Sequence, residues 1–422
     1  MSAASTEIIR PLVEQHADEV STLHAIRRHL TGSPHVSLVD LLKLDARIEA
    51  HVDGLLAAGD AAWPICDVLL EAASGEALFA NAVVALMAAQ DGRLGRLLAI
   101  ASSAGELMSG LIAAFGWTAP EYLRGVVAKL LRSDDAVYRR VGVAACAIHR
   151  VDPGVTTRLH DPDPAVRARV LRTIGEIGAH AMVSTCWRAA ADDDPDCRFW
   201  AVWSAVLLGD RQNALAALTD AAFGGGPEQT RALQLSLQAI DLTTGHELLR
   251  THASDSGELR LLLKGAGLLG DPRYIPFLIR HMSEDGLARL SGESFSLITG
   301  LDLRRPSFER PQPDSFEMGP NDDPEDHRVA MDEDEGLPWP DHDKVQTWWK
   351  QHGERFTAGA RYFMGMPPTR AHCIEVLRNG YQRQRVAAAY QLCLLNPGTP
   401  LFEWRAPARR QQTALAGMDE LG

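Results

Sequence analysis

Three observations predict an all-α architecture of stacked helix pairs. Ala and Leu are abundant, β-branched residues are sparse and aromatics make up 6% of the chain, a balance that favours helix over sheet. Apolar residues recur at helical spacing and are punctuated by Gly, Pro and Asp breaks. From residue 131 the chain also repeats itself. A helix pair that cannot bury its own apolar face must stack on its neighbours, so a repeat of this size predicts a solenoid.

The elements follow in order. Residues 7–30 read as an amphipathic helix carrying Ile8, Leu12, Val20, Leu23, Ile26 and Leu30, stopped by Gly32-Ser33-Pro34. A second helix runs from Leu38 to about Ala57, with Leu41, Leu44, Ile48, His51, Val52 and Leu55 on one face. Further helices of about ten to fifteen residues follow. Their breaks fall at Gly59-Asp60, Ser74-Gly75, Asp91-Gly92 and Thr118-Ala119-Pro120.

Three repeat segments then align: residues 133–140, 161–169 and 193–199. Matching Val137, Val166 and Cys197 gives offsets of 29 and 31 residues. Each segment leads into an apolar helix, Val141–Ile148, Val170–Ile177 or Ala201–Leu208, ending in or near Gly. The Asp serves as N-cap, accepting orphan helix N–H groups, and the Pro fits the first turn, where its missing donor costs nothing. The Arg of one repeat can pair with an Asp of the next.

After Leu301 the pattern changes. Residues 302–343 are Pro-rich and acidic, and read as a long loop or linker that Trp339, set between two prolines, pins to the body. Helices are expected over Lys344–Phe356, Thr369–Asn379 and Gln382–Leu395, with Pro397–Trp404 folding back as an extended strap. The expected organisation is an N-terminal helical cap (1–60), a repeat solenoid (61–301), an acidic Pro-rich insertion (302–343) and a C-terminal helical cap on the solenoid end (344–422).

The repeat stretch Asp163-Pro164-Ala165-Val166-Arg167, followed by Ile174-Gly175-Glu176-Ile177-Gly178, resembles the short HEAT-like repeat of phycobilisome-lyase type. The unit Leu261–Ile279 has the same character. A second resemblance spans most of the chain. Leu44–Leu55, Leu287–Leu301, Leu337-Pro338-Trp339-Pro340 with Trp348-Trp349, and Gln382-Arg383-Gln384-Arg385 look like the N-terminal, central and C-terminal signatures of a bacterial family whose members often sit near type VI secretion genes. This resemblance brings no catalytic residue set. It implies a HEAT-like accessory protein that binds a protein partner, a secreted effector or a part of the secretion apparatus, as adaptor, chaperone or immunity protein.

The net charge of −13 argues against general binding of phosphate backbones. Between Asp314 and Asp343 twelve Asp and Glu face one Arg, a local sum of −11, so the rest of the chain carries about −2. Six scattered cysteines with no CxxC read as buried thiols rather than a disulfide framework. No apolar window is long enough to span a bilayer, and the start lacks a basic segment followed by an apolar one; both point to a cytoplasmic protein without membrane contact.

Ligand-like residues are few. Cys146, His149 and His160, and more loosely His180, Cys186 and Cys197, lack the paired spacing of a structural zinc site. Gly245-His246-Glu247 resembles the His-Glu pairs of HEAT-like deoxyhypusine hydroxylases, which use several such pairs where this chain has one. Asp332-Glu333-Asp334-Glu335-Gly336 fails as a calcium loop and reads as a solvated acidic run. Gly224-Gly225-Gly226-Pro227 reads as a turn, lacking the Lys and hydroxyl of a phosphate loop. No cofactor or metal is expected. The candidate partner-binding residues are Arg140, Arg169 and Arg172, projecting from successive helices, with Trp348 and Trp349 either packing on the solenoid end or offered as a hot spot. The arginines also fit an acidic protein, the chain's own segment 314–343, or the alternative of a HEAT-like DNA-binding or nucleic-acid-modifying module.

Overall fold

Short-range capping rules set the helix starts in the computed structural model, which describes residues 8–253, 259–314, 316 and 331–419. The side chains of Asp135, Asp163 and Asp194 each accept backbone N–H groups at a helix start. Pro164 and Pro195 occupy the first helical positions after two of those caps. The result is an all-α fold whose repeat helices stack side by side in solenoid fashion. Two isolated β-bridges are the extended pairing among the described residues.

The chain divides into two compact units. The first takes residues 1–32, 36–208 and 398–422. Its helices are α1 (Arg10–Leu30), α2 (Leu38–Ala58), α3 (Ala62–Leu69), α4 (Gly75–Met87), α5 (Asp91–Ser103), α6 (Met108–Trp117), α7 (Val126–Leu131), α8 (Ala136–Ile148), α9 (Val155–Arg158), α10 (Pro164–Glu176), α11 (Val183–Ala189), α12 (Pro195–Leu207) and, from the C-terminal end, α22 (Ala408–Asp419). A continuous apolar core runs through α1–α8 and includes Val20, Ile48, Leu55, Phe79, Leu111, Phe115 and Val141.

The second unit takes residues 33–35 and 209–397. It holds α13 (Asn213–Phe223), α14 (Gln229–Ala239), α15 (Leu242–His252), α16 (Leu259–Leu269), α17 (Ile275–His281), α18 (Asp285–Thr299), α19 (His342–His352), α20 (Arg370–Asn379) and α21 (Gln382–Leu395). Its core gathers Leu263, Ile275, Leu278, Phe295, Ile298 and Val345. The pair α20–α21 folds back on α14: Gln238 Nε2 donates to the Ala387 carbonyl at 3.1 Å. Arg361 donates to the last carbonyls of α14, at Leu237, Gln238 and Ile240, closing that helix end from a distant loop. Burial pushes the Arg361 guanidinium down to about 10.

A ladder of arginines joins the repeats of the first unit. Arg139 makes a bidentate pair with Asp161 at 2.7 and 2.8 Å, and Arg167 makes the equivalent pair with Asp192 at 3.2 and 3.0 Å. Each arginine also donates to the two carbonyls before its own helix: Ser133 and Asp134 for Arg139, Asp161 and Pro162 for Arg167, Asp192 and Asp193 for Arg198. Positions 139, 167 and 198 are therefore equivalent, at spacings of 28 and 31, and the alignment on Val137 is one residue out. Arg139→Ala strands the nearly buried Asp161 carboxylate, and should lower unfolding stability by about 2 kcal/mol. Arg139→Lys should recover little, because a point charge cannot replace the guanidinium fork. Urea unfolding of both variants checks this.

The end of the chain returns to the first unit. Leu401 N–H donates to the Glu176 carbonyl at 2.9 Å, and Phe402 is buried. Gly178 has φ +70°, and a methyl there would collide with the Gly398 carbonyl, so the strap needs glycine at the end of its repeat. Asp45 on α2 then receives the Ala408 N–H at 2.6 Å, capping α22 from 363 residues away. The same carboxylate pairs with Arg27 at 2.5 and 3.2 Å, and Arg27 donates in turn to the Arg405 and Ala406 carbonyls.

Candidate interaction site

Arg140, Arg169 and Arg172 have separate fates. Arg140 is half-exposed and forms no ion pair among the described residues. Arg169 and Arg172 both turn to one carboxylate, Glu176, at 2.7 Å each. Burial alone would raise the Glu176 carboxyl, but the two guanidinium charges pull it down to about 2. Arg172 also lies over the Trp200 ring, 4.6 Å from its centroid. The pairing with Glu176 leaves little of Arg169 for a partner.

Trp348 and Trp349 lie on α19 and pack against the core of the second unit, edge-on to Phe295 at 5.9 and 6.4 Å between ring centroids. Both keep part of their surface exposed.

The acidic run needs correction. Two of its described residues are withdrawn from solvent, Asp332 pairing with Arg289 at 2.7 Å and Asp334 with Arg260 at 2.7 Å, whereas Glu333 stays exposed while meeting Lys264 at 3.2 Å and Glu335 is exposed. Asp334 is only 3% exposed. Arg289 lies within 4.8 Å of the Phe316 and 4.7 Å of the Trp339 ring centroids, so Trp339 does anchor this loop. Within the acidic segment, residues 332–334 thus pair with cations of the second unit. Residues 315 and 317–330 lie outside the described residues.

Several of the ligand-like residues are engaged elsewhere. Both ring nitrogens of His246 are engaged, Nδ1 at 2.9 Å from Tyr274 Oη and Nε2 at 2.9 Å from Asp271 Oδ2. His149 Nε2 lies 2.9 Å from the Phe115 carbonyl, and His180 Nδ1 lies 2.9 Å from that of Leu208. All six cysteines are buried, and burial pushes the Cys186 and Cys373 thiols up to about 12. Among the described residues no group of three His, Cys, Asp or Glu side chains is placed to hold a metal ion, and no helix is long and apolar enough to cross a membrane.

Three stretches singled out in the sequence do meet. Gly292, Glu293, Ser296 and Leu301 from the central stretch, Leu337-Pro338, and Arg383-Gln384 all line one cleft of the second unit, about 260 Å³ in volume. α18 supplies one wall, and α20 with the start of α21 supplies the other. Both oxygens of Glu293 accept from Arg383 Nη1, at 3.2 and 3.0 Å. Arg383 donates further to the Glu333 carbonyl, tying the acidic loop to the cleft rim. Burial raises the Glu293 carboxyl above its ordinary value even with Arg383 beside it. Each stretch was visible in the sequence, but nothing local said that they share a cavity.

The family model of HEAT repeats matches residues 153–238, which span α9 through most of α14 and include the Arg167–Asp192 rung. No curated protein and no solved structure matches the chain.

Proposed function

We propose that this HEAT-like repeat protein is a non-enzymatic scaffold that binds a protein partner, and that it serves a type VI secretion system as adaptor, chaperone or immunity-type accessory. The meeting of three separate stretches around one cleft carries the reading. Within the second unit, the buried apolar core beneath α18 and the hydrogen bond from Gln238 to the Ala387 carbonyl of α21 hold the helices that wall this cleft. The secretion context rests on the sequence resemblance, which suggests a secreted effector or an apparatus component as the partner.

Arg139, Arg167, Arg169 and Arg172 all face carboxylates, which weakens the nucleic-acid alternative. A titration with duplex DNA is expected to give no affinity that falls steeply with salt. The direct test is purification of the tagged full chain from its native host. The reading expects one protein recovered at fixed stoichiometry. A chain that comes through alone, or with bound metal and turnover of a small substrate, would contradict it.

A further inference from the structure

The cleft of the second unit has a chemistry that selects its occupant. Its inner wall is apolar, with Leu301, Leu303, Leu337, Pro338 and Val376. Its charged lining is Glu293, Asp302 and Glu375 against Arg304 and Arg383. Both cations already have partners. Arg383 Nη1 donates to the Glu293 carboxylate, while Arg304 donates to the Gly336 carbonyl and lies 5.2 Å from the Tyr381 ring centroid. The acids are less well matched. Asp302 accepts the Arg304 backbone N–H at 3.1 Å and has no cation within ion-pair distance among the described residues. Glu375 is exposed, accepts a hydrogen bond from Asn379 Nδ2 and meets its cation, Arg378, only at 3.8 Å. The raised Glu293 carboxyl points the same way: its buried charge is under-compensated.

Resting on the scaffold reading, we propose that this cleft is the socket for an arginine or lysine side chain presented by the protein partner. The apolar wall takes the methylene stem, and the rim carboxylates take the cationic head. Long basic side chains bury their stems on apolar surface while keeping the charge at a polar rim, so one residue satisfies both halves of the cleft. An acidic side chain meets three carboxylates and two arginines whose donors are already engaged, and a purely aliphatic one leaves the carboxylates unanswered.

The test uses the full chain and three peptides: acetyl-Ala-Leu-Arg-Leu-Ala-amide, the same peptide with citrulline for arginine, and the same with glutamate. Citrulline keeps the shape of the stem and head and removes the charge. The arginine peptide is expected to bind, and the citrulline peptide to bind about tenfold more weakly, the loss of one charge-assisted hydrogen bond. Ser296→Trp, which fills the cleft from α18, should abolish binding. Glu375→Lys, an exposed change that leaves the core intact, should weaken it about tenfold. Helicity measured on both variants confirms that they fold. No binding by the arginine peptide, equal binding of all three peptides, or binding unaffected by both substitutions would each overturn the proposal. The scaffold reading fails separately. A native partner recovered equally by wild type, Ser296→Trp and Glu375→Lys leaves the scaffold standing and removes the socket.

Discussion

Asp45→Ala is expected to cost about 3–5 kcal/mol of unfolding stability, because it leaves a charge buried without its counter-ion. Asp45 is 1% exposed, and its carboxylate serves two donors: the Arg27 guanidinium and the N–H that opens α22. Without it, Arg27 keeps the Arg405 and Ala406 carbonyls but loses its opposite charge. The Ala408 N–H loses its acceptor at the same time. The damage should fall first on the C-terminal segment, so limited proteolysis should cut the variant within residues 398–419 before the repeats unfold. A paired replacement, Arg27→Met with Asp45→Leu, removes both charges and should recover most of the loss, since an apolar pair of similar volume is tolerated where a broken ion pair is not. Urea unfolding of the single and paired variants measures both. A single variant within about 1 kcal/mol of wild type would contradict the role given to Asp45.

His24 should make the protein acid-sensitive. Its ring is buried in the core of the first unit and stacked on Phe79 at 3.6 Å between centroids. Burial, helped by the positive charges of Arg27 and Arg28, pushes its pKa down from 6.5 to about 3. The folded state therefore stays unprotonated over a range in which the unfolded chain takes up a proton. Stability is full above pH 6.5 and falls by about 1.4 kcal/mol per pH unit below it, until pH approaches 3. Between pH 7 and pH 4 this one group should remove about 3 kcal/mol. His24→Phe should flatten that slope while filling the same space. Denaturant unfolding across the interval checks it, and an unchanged slope in the variant would locate the acid sensitivity elsewhere. Glu176 adds a loss at lower pH. Its depressed carboxyl stabilises the fold above the ordinary glutamate value, and that contribution disappears as pH falls from there toward 2.

The sequence was most legible where the physics is local. The caps at Asp135, Asp163 and Asp194 act on N–H groups two or three residues away, so their role could be read without knowing the fold. The inter-repeat pairing was also foreseeable in kind. Its register was not, because Val137 sits one place nearer its cap than Val166 and Cys197 sit to theirs. Long-range partners stayed hidden. Nothing in residues 408–419 announces a helix with its cap on α2, since the capping carboxylate belongs to a distant part of the chain. The acidic run shows the same limit: a charge count gives its sign but not that Asp332 faces Arg289, 43 residues earlier. Arg169 and Arg172 looked like a projecting stripe because periodicity places side chains on a helix face and is silent about the Glu176 that draws them together. The cleft combines both situations. Its stretches stood out one by one, and only the packing of α18 against α20–α21 brings them together.

The account turns on a surface of the second unit doing the binding, and hydrogen exchange on the purified native complex, compared with the free chain, tests that most directly. Slowed exchange is predicted in residues 292–304 and 372–384, which line the cleft. Slowed exchange confined to the first unit, with the cleft segments unchanged by the partner, would contradict it.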